Sequence, residues 1–180
     1  MIIIFDLDET LYNEKNFVKS GFQKVAYFLE KNYNLNLNIT NKFLLDTYNL
    51  KGRKKIFNKL FIKNKLYSKS LLVKLIYVYR NHKPNIKMSK SNLLFLETLS
   101  NNFKLYLVTD GNKIVQKNKI QALKISKFFK RIFITHQYGI KHSKPSLYCF
   151  ARIKKLENCI WKDLIYIGDD PNKDFINLNK

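Results

Sequence analysis

The chain opens on Ile2-Ile3-Ile4-Phe5, an apolar run that leads straight into two carboxylates, Asp6 and Asp8, spaced i, i+2. A short apolar run ending in an abrupt acidic turn reads as a buried parallel strand. In an open α/β sheet the chemistry gathers just beyond the carboxyl ends of the strands. This reading puts Asp6 at such an end and Asp8 in the loop that follows. Residues i and i+2 of an extended segment share a face, so both carboxylates can serve one site. On these residues alone, an ordinary strand before a solvated acidic turn accounts for the pattern equally well.

The rest of the chain supplies the sheet. Val18, Phe22, Val25 and Leu29 repeat at the spacing of one helical face and predict a helix over 17–33. Asn34 to Asn38 is a polar break. Thr40 is a candidate cap for a short helix through Tyr48. Gly52 breaks the chain again, and residues 53–61 and 68–79 read as two more helices. Pro84 closes this stretch. From there helices and strands alternate. Ser89 or Ser91 caps a helix, and residues 103–109 form a strand. A helix follows over 113–123, then a strand over 131–135, with Gly139 in the loop beyond. Pro145 suits the first turn of a helix running to about Glu157. Residues 164–167 form a fourth strand, and a last helix is expected near Asn172. Strands alternating with helices imply an α/β fold with a doubly wound parallel sheet. The expected organisation is a core of residues 1–14 and 86–180, with 15–85 as an inserted all-helical segment.

Composition narrows the class. With 180 residues, 46% of them hydrophobic, the chain can bury a real core. No apolar run approaches the length of a membrane span; the nearest, Leu71 to Tyr79, is short and contains Lys74. The N-terminus lacks the basic start and long apolar core of a signal peptide, so a cytoplasmic location is expected. Cys149 and Cys159 have no zinc-like spacing and read as reduced thiols. His82, His136 and His142 are scattered and carry no role in this reading. The formal charge of +21 would suit a nucleic-acid binder. However, the lysines are spread along the whole chain, as abundant Lys, Asn and Ile with scarce Gly would give for A/T-rich codons. Nucleic acid is therefore disfavoured as the main partner, and the positive field favours capture of small anions.

Four strand ends carry polar residues of a particular kind: Asp6 with Asp8, Thr109, Lys144 beyond the third strand, and Asp169 with Asp174. Parallel strands bring all four ends to one edge. Each set alone has an ordinary explanation. Thr109 could merely finish a strand, Lys144 could be a solvated surface charge, and Gly168-Asp169-Asp170-Pro171 could be a simple turn. In this order, however, the combination closely resembles the haloacid dehalogenase-like hydrolase superfamily. Asp6-Leu7-Asp8-Glu9-Thr10-Leu11-Tyr12 matches its first motif and Leu107-Val108-Thr109-Asp110-Gly111 its second. Lys144-Pro145 matches the third, and Gly168-Asp169-Asp170-Pro171-Asn172-Lys173-Asp174 the fourth. The insert at 15–85 resembles the helical cap that many members carry.

The resemblance implies a set of roles. Asp6 would be the nucleophile that forms an aspartyl-phosphate, and Asp8 the general acid and then the base. A neighbouring carboxylate is expected to raise the pKa of Asp8. Thr109, with backbone N–H groups near Asp110 and Gly111, would hold phosphate oxygens, and Lys144 would stabilise developing charge. Asp6, the main-chain carbonyl of Asp8, and Asp169 would bind Mg2+, a hard cation suited to oxygen ligands. Asp174 would orient Lys144 or a metal-bound water. An acid at position 8 points away from dehalogenation, because members with that activity lack it. Two departures stand out. Asp110 occupies a place where a small neutral residue is more usual, so its side chain is expected to point away from phosphate or to bind a water. Members also generally continue past the fourth motif into another strand. The strand at 164–167 is therefore expected to be an edge, completed by a partner chain or by a further C-terminal segment.

The function expected is that of a magnesium-dependent phosphatase acting on a small phosphorylated metabolite. A phosphomutase of the same superfamily is the enzymatic alternative. A truncated, non-catalytic binding module is the alternative from another class.

Overall fold

The computed structural model describes residues 1–66 and 68–178. The described residues divide into two compact units, one within residues 1–14 and 86–178 and one within residues 15–85.

The first unit is built on four parallel strands: β1 (Ile2–Phe5), β2 (Lys104–Thr109), β3 (Arg131–Ile134) and β4 (Leu164–Ile167). Their order is β3-β2-β1-β4, so the opening strand lies inside the sheet. Phe5 pairs with Leu107 on one side and Ile167 on the other, which brings the carboxyl ends of β1 and β4 to one level while β2 runs on to Thr109. The Asp6 amide donates to the Ile167 carbonyl at 2.8 Å and carries that alignment one residue further. All four β1 residues are buried, which explains the unbroken apolar run: a strand covered on both faces shows no alternation. On one face Ile2, Ile4, Tyr106, Val108 and Phe133 pack with Cys149, Phe150 and Ile153. On the other, Phe5 meets the rings of Phe95 and Phe129 edge-on. β4 has no strand on its outer side among the described residues, in keeping with the expected edge. Ile165 on it is 41% exposed.

The helices of this unit follow from their ends. Of the two serines considered for α5 (Lys90–Asn102), Ser89 is the cap, and its hydroxyl accepts from the Asn92 amide at 3.1 Å. Asn112 caps α6 (Lys113–Leu123), its side-chain oxygen accepting from Ile114 and Val115. α7 (Tyr148–Glu157) begins later than expected. Pro145 follows a cis peptide and precedes the helix, because the chain first makes a turn in which Ser146 N–H donates to Ser143 O at 2.9 Å. The helix expected near Asn172 is a set of turns instead. The Asp170 carboxylate captures the Asn172 amide at 3.0 Å, and a short polar side chain that bonds its own neighbours favours a turn over a helix.

Among its described residues the second unit is helical, and comprises α1 (Glu14–Tyr33, whose first residue belongs to the first unit), α2 (Leu37–Lys51), α3 (Ile56–Asn64) and α4 (Lys69–Asn81). Its first helix starts three positions before the expected one. Phe17, Val18, Phe22, Val25 and Leu29 on α1 are buried, as the spacing requires. Asn36, not Thr40, caps α2: its side chain accepts from the Ile39 amide at 3.0 Å, while Thr40 lies buried in the first turn. Among the described residues no helix is long and apolar enough to cross a membrane.

One ion cluster pins α7 to the amino end of β2. The Glu157 carboxylate receives Lys104 Nζ at 2.7 Å, Lys130 Nζ at 2.6 Å and the Tyr106 hydroxyl. Lys104 and Lys130, with Tyr106, pull its pKa down to about 2 from an ordinary 4.5. A depressed carboxylate contributes stability above its unfolded pKa and loses it as pH falls towards its folded one. Glu157→Gln is therefore expected to cost about 1 kcal/mol at neutral pH, because half-exposed lysines limit what the pairs are worth. In denaturation curves the gap between wild type and variant should close between pH 4.5 and 2. A gap that does not change with pH would contradict the assignment.

Candidate active site

Asp6 leaves β1 with its carboxylate buried beside the loop before α7. Lys144 in that loop is only 5% exposed. Its ammonium lies 2.9 Å from Asp6 Oδ1 and 2.6 Å from Asp174 Oδ1, and donates to the Tyr166 hydroxyl at 2.8 Å. Three donors thus meet three acceptors, which is what a buried lysine requires. Tyr166 in turn donates to Asp174 Oδ1 at 3.0 Å, and the Asp170 amide donates to Asp174 Oδ2 at 3.0 Å. Lys144 is therefore not a solvated surface charge. Tyr166, one of the tyrosines of a Tyr-rich chain, had no sequence signal beyond its alternation with Leu164 towards the α7 face.

Burial pushes the Asp6 carboxyl up to about 6, the Lys144 charge and hydrogen bond oppose the rise, and nearby Asp174 adds to it. Asp174 is held below the ordinary range: burial would raise it, but Lys144, the Asp170 amide and Tyr166 outweigh that. Gly168 is required here by close approach, since a Cβ would lie 2.6 Å from Asp174 Oδ2. Single oxygens of Asp6, Asp169 and Asp174 lie within 4.8 Å of one another. An all-carboxylate set of this kind fits a hard divalent cation such as magnesium. Asp169 is exposed and accepts from the Thr10 hydroxyl at 3.3 Å, whereas Asp174 is already engaged by three donors.

Asp8 departs from expectation. Its carboxylate faces α6, where Lys119 Nζ lies 2.7 Å from Oδ1 and Gln116 Nε2 2.9 Å from Oδ2. The Tyr12 hydroxyl donates to Oδ1 at 2.7 Å. Burial raises its pKa, but Lys119, Tyr12 and Gln116 more than offset this, so the carboxyl sits below its usual range. The expected elevation by a neighbouring carboxylate is thus corrected: the neighbour that decides is an ammonium. Asp6 is the raised member of the pair. Glu9 has a φ of 54°, and Leu11 N–H closes back on Leu7 O at 3.0 Å, so the chain turns sharply through Asp8.

Thr109 ends β2 fully buried, and its hydroxyl accepts from Gln116 Nε2 at 2.6 Å. Gly111 has a φ of 130°, a conformation that disfavours any side chain. The Asp110 side chain accepts from the Thr135 hydroxyl at 2.7 Å and the Lys144 amide at 3.1 Å, and pairs with Lys173 at 3.2 Å. The unusual acid at 110 is thus a tie between three loops. The structure brings Asp6, Lys144, Asp169 and Asp174 together, and groups Asp8 with Thr109 through Gln116. Gln116, Lys119 and Tyr166 were given no place in the site by sequence, and Tyr12 and Lys173 stood within the matched motifs without a role. For Gln116 and Lys119 a signal existed: they share the helical face of Ile120 and Leu123, where polar residues are out of place.

Four strand-end loops that gather carboxylates, a lysine and a threonine at the carboxyl edge of a parallel sheet are the arrangement of an enzyme built on a doubly wound α/β sheet. Residues 3–177 match the family model described as haloacid dehalogenase-like hydrolase. The chain belongs to that family. It is 29% identical over 181 residues to a glyceraldehyde 3-phosphate phosphatase of Methanocaldococcus jannaschii, spanning 96% of this chain and 77% of that protein. Among solved structures, a HAD-superfamily hydrolase of subfamily IA from Geobacter sulfurreducens superposes with a TM-score of 0.67 at 12% identity. That match covers 94% of this chain and 78% of the other. The HAD-hydrolase YfnB from Bacillus subtilis, bound to magnesium, gives 0.66 at 17% identity over 99% and 82% of the two chains.

Removing the lysine tests the buried arrangement. Lys144→Met leaves Asp6 and Asp174 buried without their shared cation, and is expected to cost about 3–5 kcal/mol in urea denaturation at neutral pH. A loss below about 1 kcal/mol is what an exposed pair would give, and would contradict the burial.

Proposed function

We propose that the chain is a magnesium-dependent phosphatase that hydrolyses a small phosphorylated metabolite through an aspartyl-phosphate on Asp6. The observation that carries this reading is the buried Lys144 ammonium held between Asp6 and Asp174 at the carboxyl edge of the sheet. A carboxylate attacks a phosphate dianion only where cations screen the two negative charges from each other. Lys144 supplies one such charge at the nucleophile itself.

In this mechanism Thr109, backbone N–H groups near Asp110 and Gly111, and Lys144 hold the phosphate oxygens. An Asp6 oxygen forms a bond to phosphorus as the bond from phosphorus to the leaving oxygen breaks. Asp8 gives that oxygen its proton. Asp8 then takes a proton from water as the water oxygen attacks phosphorus, which releases inorganic phosphate and restores Asp6. The Lys119 charge suits Asp8 to the second step, in which it must start ionised. A phosphate dianion arriving beside it favours the protonated form needed for the first. Asp6, Asp169 and the main-chain carbonyl of Asp8 would hold magnesium, and Asp174 would orient Lys144. Bound there, the ion would neutralise phosphate charge and polarise the bond to phosphorus. Residues 15–85 would serve as the cap that selects the leaving group. The name of the archaeal relative makes glyceraldehyde 3-phosphate the first substrate to try.

Phosphate release from glyceraldehyde 3-phosphate and from nitrophenyl phosphate, with magnesium and with a chelator, tests the reading. Release is expected only with the metal. Asp6→Asn should lose turnover to the limit of detection with an unchanged circular dichroism spectrum, and Lys144→Ala should lose on the order of a hundredfold. Turnover retained in Asp6→Asn would exclude the covalent route.

A further inference from the structure

Lys119 lies deeper in the protein than a charge lent to Asp8 requires. It is 2% exposed on α6, and its neighbours on the same helical face are Gln116, Ile120 and Leu123. Burying an ammonium costs several kcal/mol unless it is paired, and an apolar side chain of similar length would fill the same space without that cost. This lysine is paired with Asp8 Oδ1 at 2.7 Å and with Glu14 Oε1 at 3.2 Å. Three residues on, in the direction of the helix start, Gln116 Nε2 reaches both Asp8 Oδ2 at 2.9 Å and Thr109 Oγ1 at 2.6 Å. Tyr12 closes the set on Oδ1.

We propose that Lys119, together with Gln116 and Tyr12, is a positioning residue that fixes the Asp8 carboxyl in the orientation from which it exchanges a proton with the leaving oxygen. This rests on the phosphatase reading above. Both oxygens of Asp8 are held, Oδ1 by Lys119 and Tyr12 and Oδ2 by Gln116, so neither free rotation about χ2 nor a change of rotamer is available without breaking a contact. Gln116 also links Asp8 to Thr109, so the proton donor and the phosphate-binding hydroxyl are registered to one helix face. Such registration matters because a misplacement of about 1 Å in a reacting group can cost on the order of a hundredfold in rate. Glu14 shares the Lys119 charge, and thereby ties the residues just beyond the Asp8 turn to the same helix. A purely structural ion pair would predict something else: loss of stability, with every substrate affected alike.

The test compares leaving groups. A nitrophenolate departs with little help from an acid, whereas an alkoxide needs its proton. In single-turnover experiments, phosphoenzyme formation is measured with nitrophenyl phosphate and with glyceraldehyde 3-phosphate. Lys119→Met is expected to slow the alkyl phosphate about tenfold or more and nitrophenyl phosphate less than about threefold, since acid catalysis is the contribution removed. Tyr12→Phe, which removes one oxygen and keeps the ring, should act in the same direction with a smaller loss. It carries the test if Lys119→Met does not fold. With Asp8 already replaced by Asn, Lys119→Met should add less than about twofold, because residues acting as a unit are not additive. Equal losses on the two substrates, or full additivity with Asp8→Asn, would overturn the positioning role while leaving the phosphatase reading in place. A wild-type chain that releases no phosphate from either compound would overturn that reading and this inference together.

Discussion

The site depends on one buried charge. The Lys144 ammonium lies within 2.9 Å of Asp6 and 2.6 Å of Asp174, shielded from water. Neither carboxylate could sit where it does without it, because two anions brought that deep into a protein repel each other and lack solvation. The lysine equally needs them. This mutual requirement draws the loop before α7 and the loop after β4 onto the end of β1. The surrounding contacts serve the same end. Asp110 accepts from the Lys144 main chain and from Thr135 and pairs with Lys173, so the second, third and fourth strand-end loops are joined beside the buried pair. Tyr166 and Gly168 complete it, one by adding a hydroxyl and the other by leaving room for Asp174.

Against that background the two acids of the first loop have been given opposite surroundings. Asp6 is buried where its pKa is pushed up to about 6, while Asp8 is kept low by Lys119, Tyr12 and Gln116. Two carboxyl groups with environments that pull them apart can take different parts in one reaction. They are separated by a single residue, Leu7, which is itself fully buried. The sharp turn through Asp8 and Glu9 lets the two acids meet different neighbours, Asp6 the loop before α7 and Asp8 a face of α6.

Much of this was legible in the chain. The unbroken apolar run at 2–5 reads as a strand covered on both faces, and β1 is such a strand. The alternation after residue 89 gave the three further strands to within a residue or so. Asp6, Thr109, Lys144, Asp169 and Asp174 each had an ordinary explanation alone, and only their order along the chain resembled the motifs of the haloacid dehalogenase-like superfamily. The less legible parts have physical causes. Thr40 and Asn36 are both capping types, Asn the stronger, and the turn of the chain places Asn36 at the cap. Asp170 bonds its own neighbour and stops a helix that the polar sequence after it would allow. The partner of Asp8 lies more than a hundred residues away, in a chain with 34 basic residues. No local pattern distinguishes a lysine that pairs with a distant aspartate from one that faces water, except that Lys119 shares its helix face with buried Ile120 and Leu123.

We propose that a carboxylate oxygen of Asp6, held beside Lys144, receives the phosphoryl group. Borohydride reduces an aspartyl-phosphate to homoserine and leaves a free aspartate unchanged. The direct measurement is therefore borohydride trapping of the chain during turnover of nitrophenyl phosphate with magnesium, followed by peptide mapping by mass spectrometry. The account predicts homoserine at position 6, dependent on substrate and on magnesium, and at no other acidic position. Turnover with position 6 recovered only as aspartate, or reduction at another carboxylate, would contradict it.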